Sequence, residues 1–166
     1  QRNKVVILPE DVFDGTGEKT IRFEADGINA AAPGFTELSL SPLKSICKVG
    51  TDISFAQGAE GNKLTTFGWL PALELMTPSM DHSSGLACRL DKMLKGDIRV
   101  SFSVDPEVLP SHPEQKFQLT INDELNLTFR VSALSEISVV VPESVYLDKQ
   151  FLELVFQYDN PIRPSD

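Results

Sequence analysis

Phe117-Gln118-Leu119-Thr120-Ile121-Asn122-Asp123-Glu124-Leu125-Asn126-Leu127-Thr128-Phe129-Arg130-Val131 reads as two strands joined by a tight turn. Phe117, Leu119 and Ile121 alternate with polar neighbours, as do Leu125, Leu127, Phe129 and Val131. This period of two lines one face of a strand with apolar groups and leaves the other polar. The intervening Asn122-Asp123-Glu124 has hairpin length and residues that hydrogen-bond their own backbone.

The same period runs outward from this hairpin. Before it, Ile98, Val100, Phe102 and Val104 alternate with Arg99, Ser101 and Ser103. After it come Ile137, Val139 and Val141, ended by Pro142, and then Leu152, Leu154, Phe156 and Tyr158. Strands that follow one another with short turns and no intervening helical pattern exclude an α/β alternation. In the first half, Val5–Leu8, Thr20–Ala25, Phe35–Leu40 and Asp52–Ala56 are further strand candidates, separated by Asp14-Gly15-Thr16-Gly17, Asp26-Gly27 and Pro33-Gly34. Helix is expected only as one turn within Pro142–Leu147, while Leu73–Met80 is broken by Pro78. The pattern predicts an all-β, jelly-roll-like antiparallel β-sandwich. One domain is expected over 1–166, with residues 1–52 supplying additional N-terminal strands.

Composition narrows the partners. The chain has 166 residues, 41% hydrophobic and 23% charged, enough for one self-sufficient core. A net charge of −9 without a Lys/Arg cluster argues against nucleic acid or an anionic membrane surface. No stretch approaches the roughly 18 apolar residues of a membrane span, so no direct membrane insertion is expected. The chain opens on Gln1 and closes on the turn-rich Asn160-Pro161-Ile162-Arg163-Pro164-Ser165-Asp166, as a processed protein or a segment of a longer one would.

Few residues point to catalysis. The only histidines are His82 and His112. Asp81-His82-Ser83-Ser84 has the letters of a triad, but a triad is assembled from separated segments, so the stretch reads as a polar exposed loop. His112, in Pro110-Ser111-His112-Pro113, reads as a solvated turn residue. A carboxylate pair of glycosidase type, with Glu74 and Asp81 as candidates, lacks a supporting constellation. No catalytic residue, metal site or cofactor is therefore expected, and the chain reads as a non-enzyme. Turn aspartates could hold a Ca²⁺ ion at a sandwich edge, but spacing alone does not promote them.

Cys47 and Cys88 both sit in strand-like contexts, where one disulfide and two buried thiols are equally open readings. The sequon Asn126-Leu127-Thr128 lies inside an expected strand. A sugar site pairs an exposed ring with hydrogen-bonding side chains, which singles out the one tryptophan, Trp69, and Glu74 after it as carbohydrate-binding candidates. Tyr146 and Tyr158 fall in apolar rows and read as core edges.

From Ile53 onward, the order of features resembles a known family. The elements are Ile53-Ser54-Phe55, Gly68-Trp69 with Pro71 and Glu74, Ala87-Cys88-Arg89-Leu90, the strand Ile98–Val104, and Thr120-Ile121-Asn122-Asp123. They continue through Ile137–Pro142 and Leu152–Phe156 into Asn160-Pro161-Ile162-Arg163-Pro164. Together they resemble the non-catalytic β-sandwich domain of bacterial envelope-glycan enzymes. That domain forms the C-terminal region of periplasmic phosphoglycerol transferases acting on membrane-derived oligosaccharides, and similar tails occur on some glycosyltransferases. The resemblance covers 53–166 and implies a non-catalytic accessory domain, periplasmic or at the cell surface, contacting envelope glycan or a partner domain of the same polypeptide. The family's second aromatic cluster has no counterpart in Leu75-Met76-Thr77-Pro78-Ser79-Met80. That departure lends weight to the alternative, a structural or protein-interaction β-sandwich with no sugar affinity.

Overall fold

A computed structural model of the chain describes residues 46–79, 82–149 and 151–159. The fold is an all-β sandwich whose sheets are antiparallel apart from one two-residue parallel pairing, Ile46 and Cys47 with Arg89 and Leu90. Its strands are β1 (Ile46–Cys47), β2 (Thr65–Phe67), β3 (Ser83–Leu90), β4 (Ile98–Val104), β5 (Gln115–Ile121), β6 (Leu125–Val131), β7 (Ser135–Val141) and β8 (Phe151–Tyr158). The one described α-helical turn is α1 (Glu143–Tyr146), which follows Pro142 as the sequence predicts. The larger sheet runs β1-β3-β8-β5-β6, with β2 also paired to β3, and the smaller pairs β4 with β7.

The chain moves between sheets in the jelly-roll manner. It leaves β3 for β4, returns for the β5–β6 hairpin, crosses to β7 and comes back as β8, which lies between β3 and β5. The described strands divide unequally between the two sheets, six against two. Alternation sets the layers: Phe117, Leu119 and Ile121 of β5 and Leu152, Leu154 and Phe156 of β8 are buried, as are Ile137, Val139 and Val141 of β7. Across the interior, the Phe102 ring of β4 meets the Phe156 ring of β8 edge to face at 5.6 Å. Burying each of these large side chains stabilises the fold by about 1.5–3 kcal/mol before ordering costs.

The hairpin has a backbone reason for its residues. Asn122 and Asp123 both adopt left-handed conformations, φ 52° and 60°, and Glu124 N–H donates to Ile121 O at 3.0 Å. Two successive left-handed residues give the turn a twist that matches the strands it joins, and Asn and Asp tolerate that region best after glycine. Asn122 is also buried: its amide donates to Val145 O and Phe151 O at 2.9 and 3.0 Å, and its Oδ1 accepts from Glu153 N–H at 2.7 Å. The turn is thereby fastened to α1 and to the start of β8.

Cys47 and Cys88 form a disulfide, with Cα atoms 5.6 Å apart. It staples β1, only two residues long, to β3, and Cys88 sits in the core. Of the two readings left open by the sequence, the bridge is the one observed.

Two expectations need correction. Asp52–Ala56 is not a strand: the Ser54 hydroxyl accepts Ala56 N–H, and Ser54 O takes Gly61 N–H from a 3-10 turn over Glu60–Lys63. Local side-chain bonding of this kind competes with a sheet ladder. Ser83 and Ser84 are not a polar exposed loop but the first residues of β3, and Ser84 is fully buried. The strand candidates Val5–Leu8, Thr20–Ala25 and Phe35–Leu40 lie outside the described residues.

Candidate functional site

Trp69 and Glu74 occupy one loop, which leaves β2 and returns towards β3. An isolated bridge between Trp69 and Ser79 closes its base, where Leu70 N–H donates to Pro78 O at 2.9 Å. Gly68 makes the entry possible. Its φ is +72°, and a Cβ there would lie 2.0 Å from Ser83 O, so the chain passes against β3 at a spot where no side chain fits. Farther out, the loop turns back through Leu73 N–H to Met76 O at 2.7 Å, and Gln57 N–H donates to Leu73 O. Thr77 Oγ1 donates to Phe55 O at 2.6 Å.

Trp69 is half-buried at the base of this loop. Its indole N–H donates to Gly85 O at 2.7 Å, and its ring meets Phe156 edge to face with centroids 6.3 Å apart. Most of the ring therefore serves to close the end of the sandwich, leaving part of it accessible. Glu74 is exposed at the loop tip beside Leu73 and Leu75, which are 56% and 82% exposed. The two candidate sugar contacts thus belong to one loop but to opposite ends of it.

Beneath Trp69 lies a polar pair that the sequence did not signal. The Ser84 hydroxyl and the Tyr158 hydroxyl are 2.8 Å apart between β3 and β8. Nothing in an alternating apolar row marks Tyr158 as bonded to a serine, because the contact depends on the register that sets Ser84 opposite Phe156. Burial pushes the Tyr158 phenol above its usual value, opposed by hydrogen bonds to Ser84 and Ser79. An unfolded tyrosine ionises near pH 10 while the folded one keeps its proton, so this contribution to stability is whole below about pH 10 and is lost as pH rises through the folded value. Tyr158→Phe is expected to cost about 1 kcal/mol at neutral pH and to flatten that alkaline decline, as read from urea midpoints between about pH 8 and 11.

The remaining candidates stay apart. His82 is exposed, and Asp81, the partner considered for Glu74, lies outside the described residues. His112 is exposed in a turn, bridged to Leu109, with its Nδ1 3.1 Å from Ser111 Oγ. Among the described residues there is no group of three or more His, Cys, Asp or Glu side chains placed to hold a metal ion. No described helix is long and apolar enough to cross a membrane. Asn126 and Thr128 of the sequon are both exposed on β6.

Compared with protein-family models, curated proteins and solved structures, the chain matches none.

Proposed function

We propose that this chain is a non-catalytic accessory module of a bacterial envelope-glycan system of the phosphoglycerol or glycosyl transferase type. In this reading it works in the periplasm or at the cell surface by contacting glycan or a partner domain. The observation that carries the reading is the Cys47–Cys88 disulfide inside an antiparallel sandwich, since such a bridge persists in oxidising compartments outside the cytoplasm. The resemblance of 53–166 to envelope-glycan accessory domains supplies the glycan, and Trp69 with Glu74 are its first contacts to test.

Titration of the intact, oxidised chain with neutral gluco-oligosaccharides tests this. Saturable binding that weakens in Glu74→Gln, with Trp69→Phe as a variant that keeps a ring but loses the indole donor, supports the reading and those contacts. Binding that both variants leave unchanged removes Trp69 and Glu74 from the site. No binding to any oligosaccharide overturns glycan contact.

The engagement of Trp69 by Gly85 and Phe156 favours a second reading, a structural or protein-interaction sandwich with no sugar affinity. Leu73 and Leu75 at the loop tip would then be contact residues for protein.

A further inference from the structure

The outward face of the larger sheet carries two registered rows. The first runs Ser83, Gln157, Gln118 and Thr128 across β3, β8, β5 and β6. The second runs Gly85, Val155, Thr120 and Asn126 across the same four strands. These positions are hydroxyls, amides, one valine and one glycine, all uncharged in a chain of net charge −9. Gln157, Thr128 and Asn126 are exposed, and Gln118, Thr120, Ser83 and Val155 are half-exposed.

Charge begins at the borders, where the buried Glu153 precedes Val155 in the same row of β8 and the exposed charges form ion pairs. On one side Lys116 Nζ meets Asp159 Oδ2 at 2.7 Å, and Arg130 meets Glu114 Oε1 at 2.6 Å. On the other, Lys149 meets Glu124 at 2.7 Å. Within the strip, Asn126 Oδ1 accepts from Thr120 Oγ1 at 2.8 Å and from Gln118 Nε2 at 3.4 Å, which orients the amides as a connected set of donors and acceptors. The β3 end is walled by an aromatic ring: a Cβ on Gly85 would lie 2.4 Å from Phe67 Cε1, so Phe67 lies over that glycine on the outward face.

We infer that this strip is a binding surface for a neutral oligosaccharide, with Gln157, Gln118, Thr120, Asn126 and Thr128 as hydrogen-bonding contacts and Phe67 as the ring against which a sugar face packs. The inference rests on the glycan-contacting reading above and gives it a site other than the Trp69–Ser79 loop. A charged ligand would need unpaired countercharge, and an apolar one would leave these amides and hydroxyls without partners. A sugar presents the matching chemistry, hydroxyls that both donate and accept beside apolar C–H faces. Neighbouring strands lie about 4.8 Å apart, so four strands span about 14 Å, the length of roughly three sugar rings.

Titration of the intact, oxidised chain with linear neutral gluco-oligosaccharides of increasing length, followed by calorimetry and amide NMR, tests the site. Affinity is expected to rise with each added ring up to about three or four and then level off, with shifts on β5, β6 and β8. Gln118→Ala with Gln157→Ala is expected to weaken binding about ten-fold or more while changing the thermal midpoint little, because Gln157 is exposed and the half-exposed Gln118 makes one long bond to Asn126. Binding that these variants leave intact, or that responds only to Glu74→Gln and Trp69→Phe, overturns this site and keeps glycan contact. Variants that alter self-association instead of glycan affinity make the face an interface between copies of the chain and likewise overturn it. No binding by the unsubstituted chain overturns both.

Discussion

Asn122→Ala is expected to destabilise the fold by about 4 kcal/mol and to lower the thermal midpoint by about 10–15 °C. Three hydrogen bonds disappear together, the buried ones to Val145 O and Glu153 N–H and the partly buried one to Phe151 O. Each contributes about 1 kcal/mol, and Val145 O and Glu153 N–H are left behind in buried surroundings. A further ~1 kcal/mol comes from holding alanine at φ 52°, where its Cβ is crowded. Asn122→Gly separates the two causes, since it loses the same bonds without the crowding and should be about 1 kcal/mol less damaging than alanine. Equal midpoints for the two variants would contradict the backbone part of the account, and a loss below about 1 kcal/mol for Asn122→Gly would contradict the hydrogen-bond part. Asn122→Asp keeps the acceptor for Glu153 N–H but turns a carboxylate towards two carbonyl oxygens. Its loss should therefore be greatest at neutral pH and shrink on acidification.

Removal of the Cys47–Cys88 bridge is the second large effect. The cysteines are 41 residues apart, and a loop of that size restricts the unfolded chain by about 4 kcal/mol in the chain-entropy model. The double variant Cys47→Ala with Cys88→Ala is expected to lose most of that and to fall further because Cys88 fills part of the core. Reduction of the unsubstituted chain should reproduce the first part alone. Denaturant midpoints with and without reductant measure it, and an unchanged midpoint would refute the bridge as a stabilising element. The expected structural consequence is local: β1 has two residues of pairing to β3, with Asp91 N–H on Cys47 O and Asp91 Oδ1 accepting from Val49 N–H. Hydrogen exchange in residues 46–51 should therefore rise before that of β5 or β8.

Most of the sandwich was legible because its strands alternate cleanly. Ile98–Val104, Phe117–Ile121, Leu125–Val131 and Phe151–Tyr158 all appear as strands with the expected rows facing in. The β7 row, Ile137, Val139 and Val141, does so too. Where the period is broken, reading failed. Ser83-Ser84-Gly85 has no apolar alternation, yet it opens a strand whose outward Gly85 is covered by Phe67 and whose inward serine is paired to Tyr158. Asp52–Ala56 has apolar residues at a strand-like spacing, yet Ser54 diverts its backbone bonding into a turn.

The site was legible only in part for a different reason. Residue type can nominate Trp69 and Glu74, but whether a ring faces solvent or closes a core depends on Gly85 and Phe156, which are distant in sequence. The neutral strip could not be read at all. It exists only when Gln118, Gln157 and Thr128 are brought into one row by pairings between three strands.

The placement of β8 governs the order in which the molecule can be made. It pairs with β3 on one side and β5 on the other, although it is the last described strand in the chain. Until residues 151–158 emerge from the ribosome, β3 and the β5–β6 hairpin have no shared partner, and the apolar rows of both stay exposed. Closure then depends on contacts between residues some seventy positions apart, such as Ser83 with Gln157, a topology that folds slowly. A nascent chain on this route stays open until β8 has emerged, and in that open state it is most exposed to aggregation.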